Sequence, residues 1–208
     1  MLYEVRTYTF RPGTLAEFVE RYSKRLPLRE KHSKLGAFWT TEVGPLNQAI
    51  HVYPYEDLAQ RTAVRDAMAK DTALAQLPGG RDLIVEQQAE IVTPAPFMHP
   101  LGSRDYGTGN VYEMRIYTFA PGDIPKVLDA WGKAIEAREK YSPLAACWTN
   151  ELGALNRFWH VWVYKDLNER ARIRAETRNA GVWPPQTGVR PIRQENKLLV
   201  PASFSPVR

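Results

Sequence analysis

The chain has 208 residues, of which 44% are apolar and 25% are charged, and its formal net charge is +5. These values are typical of a globular protein with a buried core, and no apolar run approaches the ~18 residues of a membrane-spanning helix. Basic residues are interleaved with acidic ones and accompany no nucleic-acid-binding motif, so neither a membrane nor a nucleic acid is expected as a partner.

The start of the chain and its cysteine content bear on the compartment. Strand-like alternation follows Met1 directly, with no signal or transit segment before it, and Cys147 is a single cysteine without a partner for an internal disulfide. Both features are typical of a reducing environment. We therefore expect a cytoplasmic protein.

The chain is an internal duplication. Residues 3–13 return as 112–122, residues 39–47 as 148–156 and residues 51–58 as 160–167, all at an offset of 112 − 3 = 109. Three blocks at one ungapped offset indicate a structural unit that is used twice. The offset falls to 107 near the ends, where Gln87 and Pro94 correspond to Gln194 and Pro201. We assign residues 1–94 to a first unit, the Pro- and Gly-rich residues 95–109 to a linker, and residues 110–208 to a second unit.

Each unit is predicted to begin with a strand and a helix. The first strand alternates with period two and ends at a Pro-Gly pair. A helix then follows, with a capping box from Thr14 to Glu17 in the first unit and a cap at Asp123 in the second. Its apolar stripe predicts packing on a sheet, and Pro27 is expected to bend or end the helix in the first unit.

The rest of each unit is predicted as two strands, a helix and a last strand. The second and third strands flank a tight turn at residues 44–47 or 153–156, and Asp57 and Asp166 cap the second helices. The fourth strands follow at residues 83–92 and 193–200. The order β-α-β-β-α-β predicts an α+β fold, with two tandem ferredoxin-like units that each carry both helices on one face of an antiparallel sheet.

Alternation gives each sheet an apolar face and a polar–aromatic face. We expect the apolar faces to lie under the helices and the two polar–aromatic faces to pack against each other, because so many aromatic rings would be costly to leave in water. The result would be a pseudo-symmetric α/β barrel of the dimeric type, with eight strands, either filled by side chains or holding one small ligand. The fourth strands would present uncovered edges, so we also expect a homo-oligomer.

The polar–aromatic face carries the candidate chemistry. A histidine near a carboxylate suits proton transfer at neutral pH, and an arginine can hold an oxyanion. We predict His51 as the proton-transfer group, Glu42 as its partner and Arg6 as the oxyanion holder. Ligand contacts are expected from the remaining residues of this face in both units, namely Tyr8, Asn47, Tyr53, Arg115, Tyr117, Glu151, His160 and Trp162. The alternative is a structural Arg6–Glu42 ion pair and a histidine that only forms a structural hydrogen bond.

Metal and haem chemistry are not indicated. One histidine on the polar–aromatic face of each unit, without Cys or His at ligand spacing, is a poor metal signature. A haem would need His51 or His160 as its axial ligand in a wide pocket. We expect no metal and no cofactor.

The chain resembles the NIPSNAP family, whose domain is a dimeric α/β barrel. The resemblance is carried by residues 3–8, 12–13, 36–47 and 51–58. The resemblance covers most of residues 1–94 and, more loosely, residues 110–201. Three positions depart from it: in the second unit Ala154 replaces the turn proline and Cys147 stands where the first unit has Phe38, and Pro54 interrupts the third strand of the first unit. The resemblance implies the barrel fold. Wider relatives of that fold include cofactor-free monooxygenases, lactone isomerases, polyketide cyclases and haem-degrading enzymes. Because these activities differ, the fold alone does not determine the function.

Two hypotheses about function follow. In the first, the chain binds a small molecule and catalyses cofactor-independent proton transfer, isomerisation or oxygenation of a carbonyl or aromatic compound inside the barrel, with the first unit favoured because its turn at residues 44–47 is unaltered. In the second, the chain is a non-catalytic ligand carrier or assembly module with a packed barrel. A cavity that holds both His51 and Arg6 favours the first hypothesis, and a barrel filled by aromatic side chains favours the second.

Overall fold

The computed structural model describes residues 1–107 and 109–208. In the first unit the elements are β1 (Leu2–Phe10), α1 (Leu15–Arg29), β2 (Ala37–Val43), β3 (Gln48–Tyr55), α2 (Leu58–Lys70), α3 (Thr72–Gln76) and β4 (Ile84–Pro94). In the second unit they are β5 (Val111–Thr118), α4 (Ile124–Glu139), β6 (Leu144–Leu152), β7 (Arg157–Tyr164), α5 (Leu167–Asn179) and β8 (Arg193–Pro201). No helix among the described residues is long and apolar enough to cross a membrane.

The eight strands form a closed antiparallel barrel in the order β1-β3-β2-β8-β5-β7-β6-β4. The first unit contributes β4-β1-β3-β2 and the second β8-β5-β7-β6, and the pairings of β2 with β8 and β4 with β6 join them. The two ferredoxin-like units and the pseudo-symmetric barrel are thus confirmed. Because β4 and β8 are each paired on both sides, the uncovered edges from which we expected an oligomer do not exist.

The interior of the barrel is apolar, which reverses our prediction for the two faces of each sheet. One buried cluster combines Tyr3, Trp39 and Val52 of the first unit with Trp148 and Val161 of the second. The polar–aromatic faces lie outside, under the helices, in one cluster per unit. The apolar faces need only each other to exclude water, whereas the polar face needs hydrogen-bonding partners, which the arginine and tyrosine side chains of the helices supply.

The helix ends agree with the sequence only in part. Asp57 and Asp166 cap α2 and α5 by accepting hydrogen bonds from the backbone N–H groups of Gln60 and Glu169, as predicted. The predicted caps of the first helices are wrong, because Thr14 and Asp123 form no side-chain capping bond. The hydroxyl of Thr14 instead donates to the carbonyl of Arg11, and the carboxylate of Asp123 pairs with Lys126.

Pro27 does not stop α1, which continues to Arg29. A proline removes one helical hydrogen bond, and this loss is tolerable two residues before the helix end.

The connection between the units packs on the barrel. Met98, Leu101 and Tyr106 contact the interior cluster, and the backbone N–H of Leu101 donates to the hydroxyl of Tyr3 over 3.3 Å. The connection is therefore part of the core and not a free tether.

Candidate binding pockets between sheet and helices

Each unit has a cavity between the outer face of its sheet and its helices. The first-unit pocket has a volume of about 360 Å³ and the second-unit pocket about 530 Å³. Corresponding side chains at the 109-residue offset line both pockets, as the following pairs illustrate: Arg6 and Arg115, Tyr8 and Tyr117, Tyr22 and Trp131, Arg29 and Arg138, His51 and His160, Tyr53 and Trp162, and Arg65 and Arg174. The duplication has thus produced two related sites outside the barrel.

Strand register brings an arginine and a histidine side by side in each pocket. Arg6 on β1 lies opposite His51 on β3, and Arg115 on β5 lies opposite His160 on β7. The period of the strand places a glutamate and a tyrosine two residues to either side of each arginine on the same face. In the first unit, Arg6 Nε donates to Tyr8 Oη over 2.7 Å and its Nη1 to Glu4 Oε1 over 2.8 Å. The second unit repeats both bonds, over 2.6 and 2.9 Å.

The buried carboxylates are Glu4 and Glu113, which are 1% and 0% exposed. Arg61 of α2 also bonds Glu4, and Arg170 of α5 bonds Glu113. Burial by itself raises the pKa of Glu113, but the hydrogen bond from Arg170 and the neighbouring guanidinium charges outweigh it and hold that pKa below its ordinary value. Each carboxylate is therefore an anion shared by at least two arginines.

Glu42 and Glu151 do not contact these side chains, so the predicted partnership of Glu42 with His51 and the alternative Arg6–Glu42 ion pair are both wrong. Both glutamates are exposed and lie outside the pockets. The cause is a shift of strand register at each position, between Thr41 and Val43 in β2 and between Asn150 and Leu152 in β6. Such a bulge interrupts the period-two pattern from which the glutamates were assigned to the polar–aromatic face.

Asn47 likewise lies outside the first-unit pocket. It has a positive φ of 56°, and its carbonyl accepts a hydrogen bond from the backbone N–H of Phe10 over 2.9 Å. Asparagine tolerates this left-handed conformation better than most residues. Asn47 therefore shapes the β2–β3 turn.

Both histidines are buried and neutral at pH 7. His51 is 4% exposed and His160 is 2% exposed. Burial, followed by the charges of Arg6 and Arg29, lowers the pKa of His51 to about 3. Burial and nearby arginines likewise hold the pKa of His160 well below its ordinary value.

The partner of Nδ1 differs between the two histidines. Trp162 Nε1 donates to His160 Nδ1 over 2.9 Å, and since an indole N–H can only donate, the proton of His160 is on Nε2. In the first unit the hydroxyl of Tyr22 lies 3.2 Å from His51 Nδ1. Neither Nε2 atom has a hydrogen-bond partner among the described residues.

Arg138 is a buried cation that contacts only neutral groups. It is 2% exposed, and it donates to Ser142 Oγ over 2.9 Å and to Tyr164 Oη over 3.2 Å. Its guanidinium carbon lies 4.0 Å from the centre of the Trp162 ring. Among the described residues it has no salt bridge to a carboxylate. Arg29 repeats the arrangement with Ser33, Tyr55 and the ring of Tyr53.

The outer walls of the two pockets differ. The second-unit pocket is closed by the proline-rich residues 183–191, and Trp183 stands nearly perpendicular to Trp131, with the ring centres 4.4 Å apart. The first-unit pocket has Leu74 of α3 in the corresponding place. The second-unit pocket is therefore larger and more strongly aromatic.

Eight of the predicted site residues line the pockets: Arg6, Tyr8, His51, Tyr53, Arg115, Tyr117, His160 and Trp162. Six further residues in or beside the pockets were not predicted from the sequence: Glu4, Glu113, Tyr22, Trp131, Arg29 and Arg138. The internal repeat could have identified some of them, because Glu4 corresponds to Glu113 and Arg29 to Arg138 at the offset of 109.

Comparison with known proteins identifies relatives of the chain and of its fold. The NIPSNAP family model matches residues 3–99 and 112–206. Protein NipSnap homolog 3A of Homo sapiens is 33% identical over 220 residues, which span 100% of this chain and 86% of that protein. Protein NipSnap of Drosophila melanogaster is 25% identical over 217 residues, which span 99% of this chain and 78% of that protein. A solved structure described as an anthrone oxidase-like protein superposes with a TM-score of 0.62 over 100% of this chain and 94% of that chain, and at 10% identity the likeness concerns the fold alone.

Proposed function

This chain belongs to the NIPSNAP family, and we propose that it binds small organic anions in the two pockets between its sheets and helices. The proposal moves the expected ligand site from the interior of the barrel, which side chains fill, to the outer faces of the sheets.

The observation that carries the proposal is Arg138. A charge removed from water is normally balanced by a partner of opposite sign, because the desolvation of a lone ion costs several kcal/mol. Arg138 lines the second-unit pocket and is bonded only to neutral oxygens of the protein. A carboxylate or phosphate group in the pocket would supply the missing charge and accept two parallel hydrogen bonds.

The aromatic side chains that line the rest of the pocket favour a ligand with an aromatic or otherwise flat group. Trp131, Trp162 and Trp183 line the second-unit pocket together with Tyr117 and Phe119. A volume of about 530 Å³ lies within the range of pockets that take metabolite-sized molecules. An aromatic carboxylate or phosphate would match both the rings and the guanidinium groups.

The titratable groups favour binding over base catalysis. No Asp or Glu is among the described residues that line the second-unit pocket. Its histidine is a hydrogen-bond donor at Nε2, and its arginines and tyrosines also donate. The pocket therefore offers an incoming anion many donors and few proton acceptors.

Polarisation of a bound carbonyl is the second candidate function, and the tautomer of His160 favours it. A neutral imidazole N–H can donate to an oxygen on which negative charge develops. Cofactor-independent isomerisation or oxygenation of a carbonyl or aromatic compound would need such a group.

The test is a titration with charged and neutral ligands of one shape. Benzoate and phenyl phosphate are compared with benzamide, by calorimetry and by the fluorescence of the three pocket tryptophans. We expect both anions to bind and benzamide to bind at least tenfold more weakly. In Arg138→Met the affinity of the second-unit pocket should fall about 10–100-fold, as expected for a charged hydrogen bond of about 1.5–3 kcal/mol.

The matched control is Arg172→Gln, which removes an exposed arginine of α5 that pairs with Glu176 outside the pocket. This variant should bind like the parent. Equal affinity for benzoate and benzamide, or an unchanged affinity in Arg138→Met, would refute anion binding.

A further inference from the structure

We propose that the first-unit pocket is a tautomerase site for enolisable oxo acids, in which His51, Tyr22 and Tyr53 form a closed path for one proton. The inference rests on the proposed anion binding, which holds the acid group of the substrate. It adds an activity and assigns that activity to one of the two units.

The path is visible in the hydrogen bonds of the first unit. The hydroxyl of Tyr22 contacts His51 Nδ1 at 3.2 Å and also the hydroxyl of Tyr53. All three side chains line the same pocket, and His51 Nε2 has no partner among the described residues. The chain of hydrogen bonds thus begins and ends with side chains that border one cavity.

A hydroxyl group can accept a proton and give one away, and this property separates the two units. Through Tyr22, His51 can hold its proton on either nitrogen, since Tyr22 can donate to Nδ1 or accept from it. In the second unit, Trp162 Nε1 donates to His160 Nδ1, and an indole N–H is not an acceptor. His160 is therefore fixed as one tautomer, whereas His51 can exchange its two forms.

The proposed step converts an enol into its keto form with all atoms balanced. The enol O–H bond breaks as its proton bonds to His51 Nε2, and the proton on Nδ1 passes to the oxygen of Tyr22. The proton of Tyr22 passes to Tyr53, and the proton of Tyr53 bonds to the substrate carbon. The C=O bond forms as the C=C bond is lost, and His51, Tyr22 and Tyr53 all end neutral. The reverse step enolises the keto acid, and neither direction needs an oxidant. Each step leaves His51 as its other tautomer, so a proton must return from Nε2 to Tyr53 through water in the pocket before the next turnover in the same direction.

The surroundings of the three side chains suit such a path. An imidazolium would be costly at this buried position, and the path never forms one. Burial, only partly opposed by the charge of Arg29, raises the pKa of Tyr53 to about 12, so that its hydroxyl keeps a proton to deliver. The guanidinium carbon of Arg29 lies 4.0 Å from the centre of the Tyr53 ring. Arg29 and Arg6 border the pocket and can hold the carboxylate of the substrate.

The experiment uses the full-length chain and phenylpyruvate. The enol is followed by its ultraviolet absorbance, and binding is measured separately by calorimetry. We expect the parent protein to accelerate ketonisation at least 100-fold, within the range that positioned acid–base groups supply. In Tyr22→Phe the acceleration should disappear while the affinity for phenylpyruvate changes less than about threefold. Tyr53→Trp, which installs the residue of the second unit, should have the same effect and serves if the first variant does not fold.

The control is Lys24→Gln, which removes an exposed lysine of the same helix and should keep the full rate. The ¹⁵N spectrum of the histidine rings reports directly on the proton path, because it distinguishes the two tautomers of each histidine. His51 should show both tautomers in the parent protein and a changed ratio in Tyr22→Phe, whereas His160 should show only the Nε2–H form in both.

The outcomes separate the two proposals. Phenylpyruvate that binds without accelerated ketonisation, or a full rate in Tyr22→Phe, overturns the tautomerase site and leaves anion binding intact. Absence of binding by phenylpyruvate, benzoate and phenyl phosphate alike overturns the proposed function itself.

Discussion

Arg138 illustrates at the scale of one residue the cost of burying a charge. Its guanidinium group is removed from water, and the protein groups that bond it directly are neutral. We predict that Arg138→Met leaves the free energy of unfolding unchanged or raises it by about 1–2 kcal/mol, because a flexible apolar side chain of similar length avoids the desolvation cost. Urea denaturation of the ligand-free protein measures this. A loss of several kcal/mol would mean that Arg138 is structural.

The buried histidines predict a loss of stability at mildly acidic pH. In the folded protein the pKa of His51 is lowered to about 3, whereas the unfolded chain has the ordinary value of 6.5. Below pH 6.5 the unfolded chain takes up a proton that the folded protein does not. The free energy of unfolding therefore falls as the pH falls, by up to about 1.4 kcal/mol per pH unit.

The measurement is urea denaturation at pH 7.0 and 5.5. His51→Gln should lose about 1 kcal/mol less than the parent protein between the two values, since His160 still contributes its own loss. Equal losses in parent and variant would show that His51 is not buried and neutral.

At this scale the sequence predicted the arginines, tyrosines and histidines of the strands but not their carboxylate partners. Period-two alternation holds along β1 from Glu4 to Tyr8, so Arg6 and Tyr8 were correctly placed on one common face, although that face was expected inside the barrel. The pattern fails at Glu42 because the register of β2 shifts there. The bulge depends on pairing with β8, where Val43 lies opposite Leu198, 155 residues farther along the chain, and no local pattern reports it.

At the scale of elements, a buried carboxylate ties α2 to the sheet. None of its residues is buried, whereas α1 buries Phe18 and Leu26. The carboxylate of Glu4 on β1 accepts hydrogen bonds from Arg61 of α2 and from Arg6. This carboxylate therefore fastens a helix to the sheet and orients a pocket arginine.

We predict that Glu4→Gln lowers the free energy of unfolding by about 3–5 kcal/mol, because two guanidinium groups would lose their anion. Hydrogen exchange of the α2 amides should accelerate more than that of the α1 amides. Lys24→Gln, which breaks an exposed pair with Glu20, is the control and should change stability by less than about 0.5 kcal/mol. Unchanged exchange in α2 would show that other contacts hold this helix.

At the scale of the whole molecule, the repeat predicted two units and a barrel, but the faces of the sheets were assigned the wrong way round. Both faces of each sheet become buried, so the alternation of the strands alone does not say which face meets the helices. The side chains that the helices present to the sheet decide which face they cover. Tyr22 and Arg29 on α1 offer hydrogen bonds that match the polar–aromatic face, whereas the sequence-based prediction considered only the apolar stripe of this helix.

The closed barrel also changes what is expected of assembly. Association of whole chains remains a prediction, which light scattering tests against the mass of 23.8 kDa. Each unit alone, however, would expose one half of the interior cluster and the free edges of two strands. Large apolar surfaces and open edges favour association.

We predict that the isolated first unit, residues 1–94, forms a homodimer with the architecture of the intact chain. The interior contacts between units are made by equivalent residues: Trp39 meets Tyr112, and Tyr3 meets Trp148. Because Tyr3 corresponds to Tyr112 and Trp39 to Trp148, two copies of the first unit can form the same pairs of rings. Light scattering should give twice the mass of the fragment, and Trp39→Glu, which places a charge in the dry interior, should yield an unfolded or aggregated fragment. A folded monomer of residues 1–94 would show that the barrel interior is not what holds each unit together.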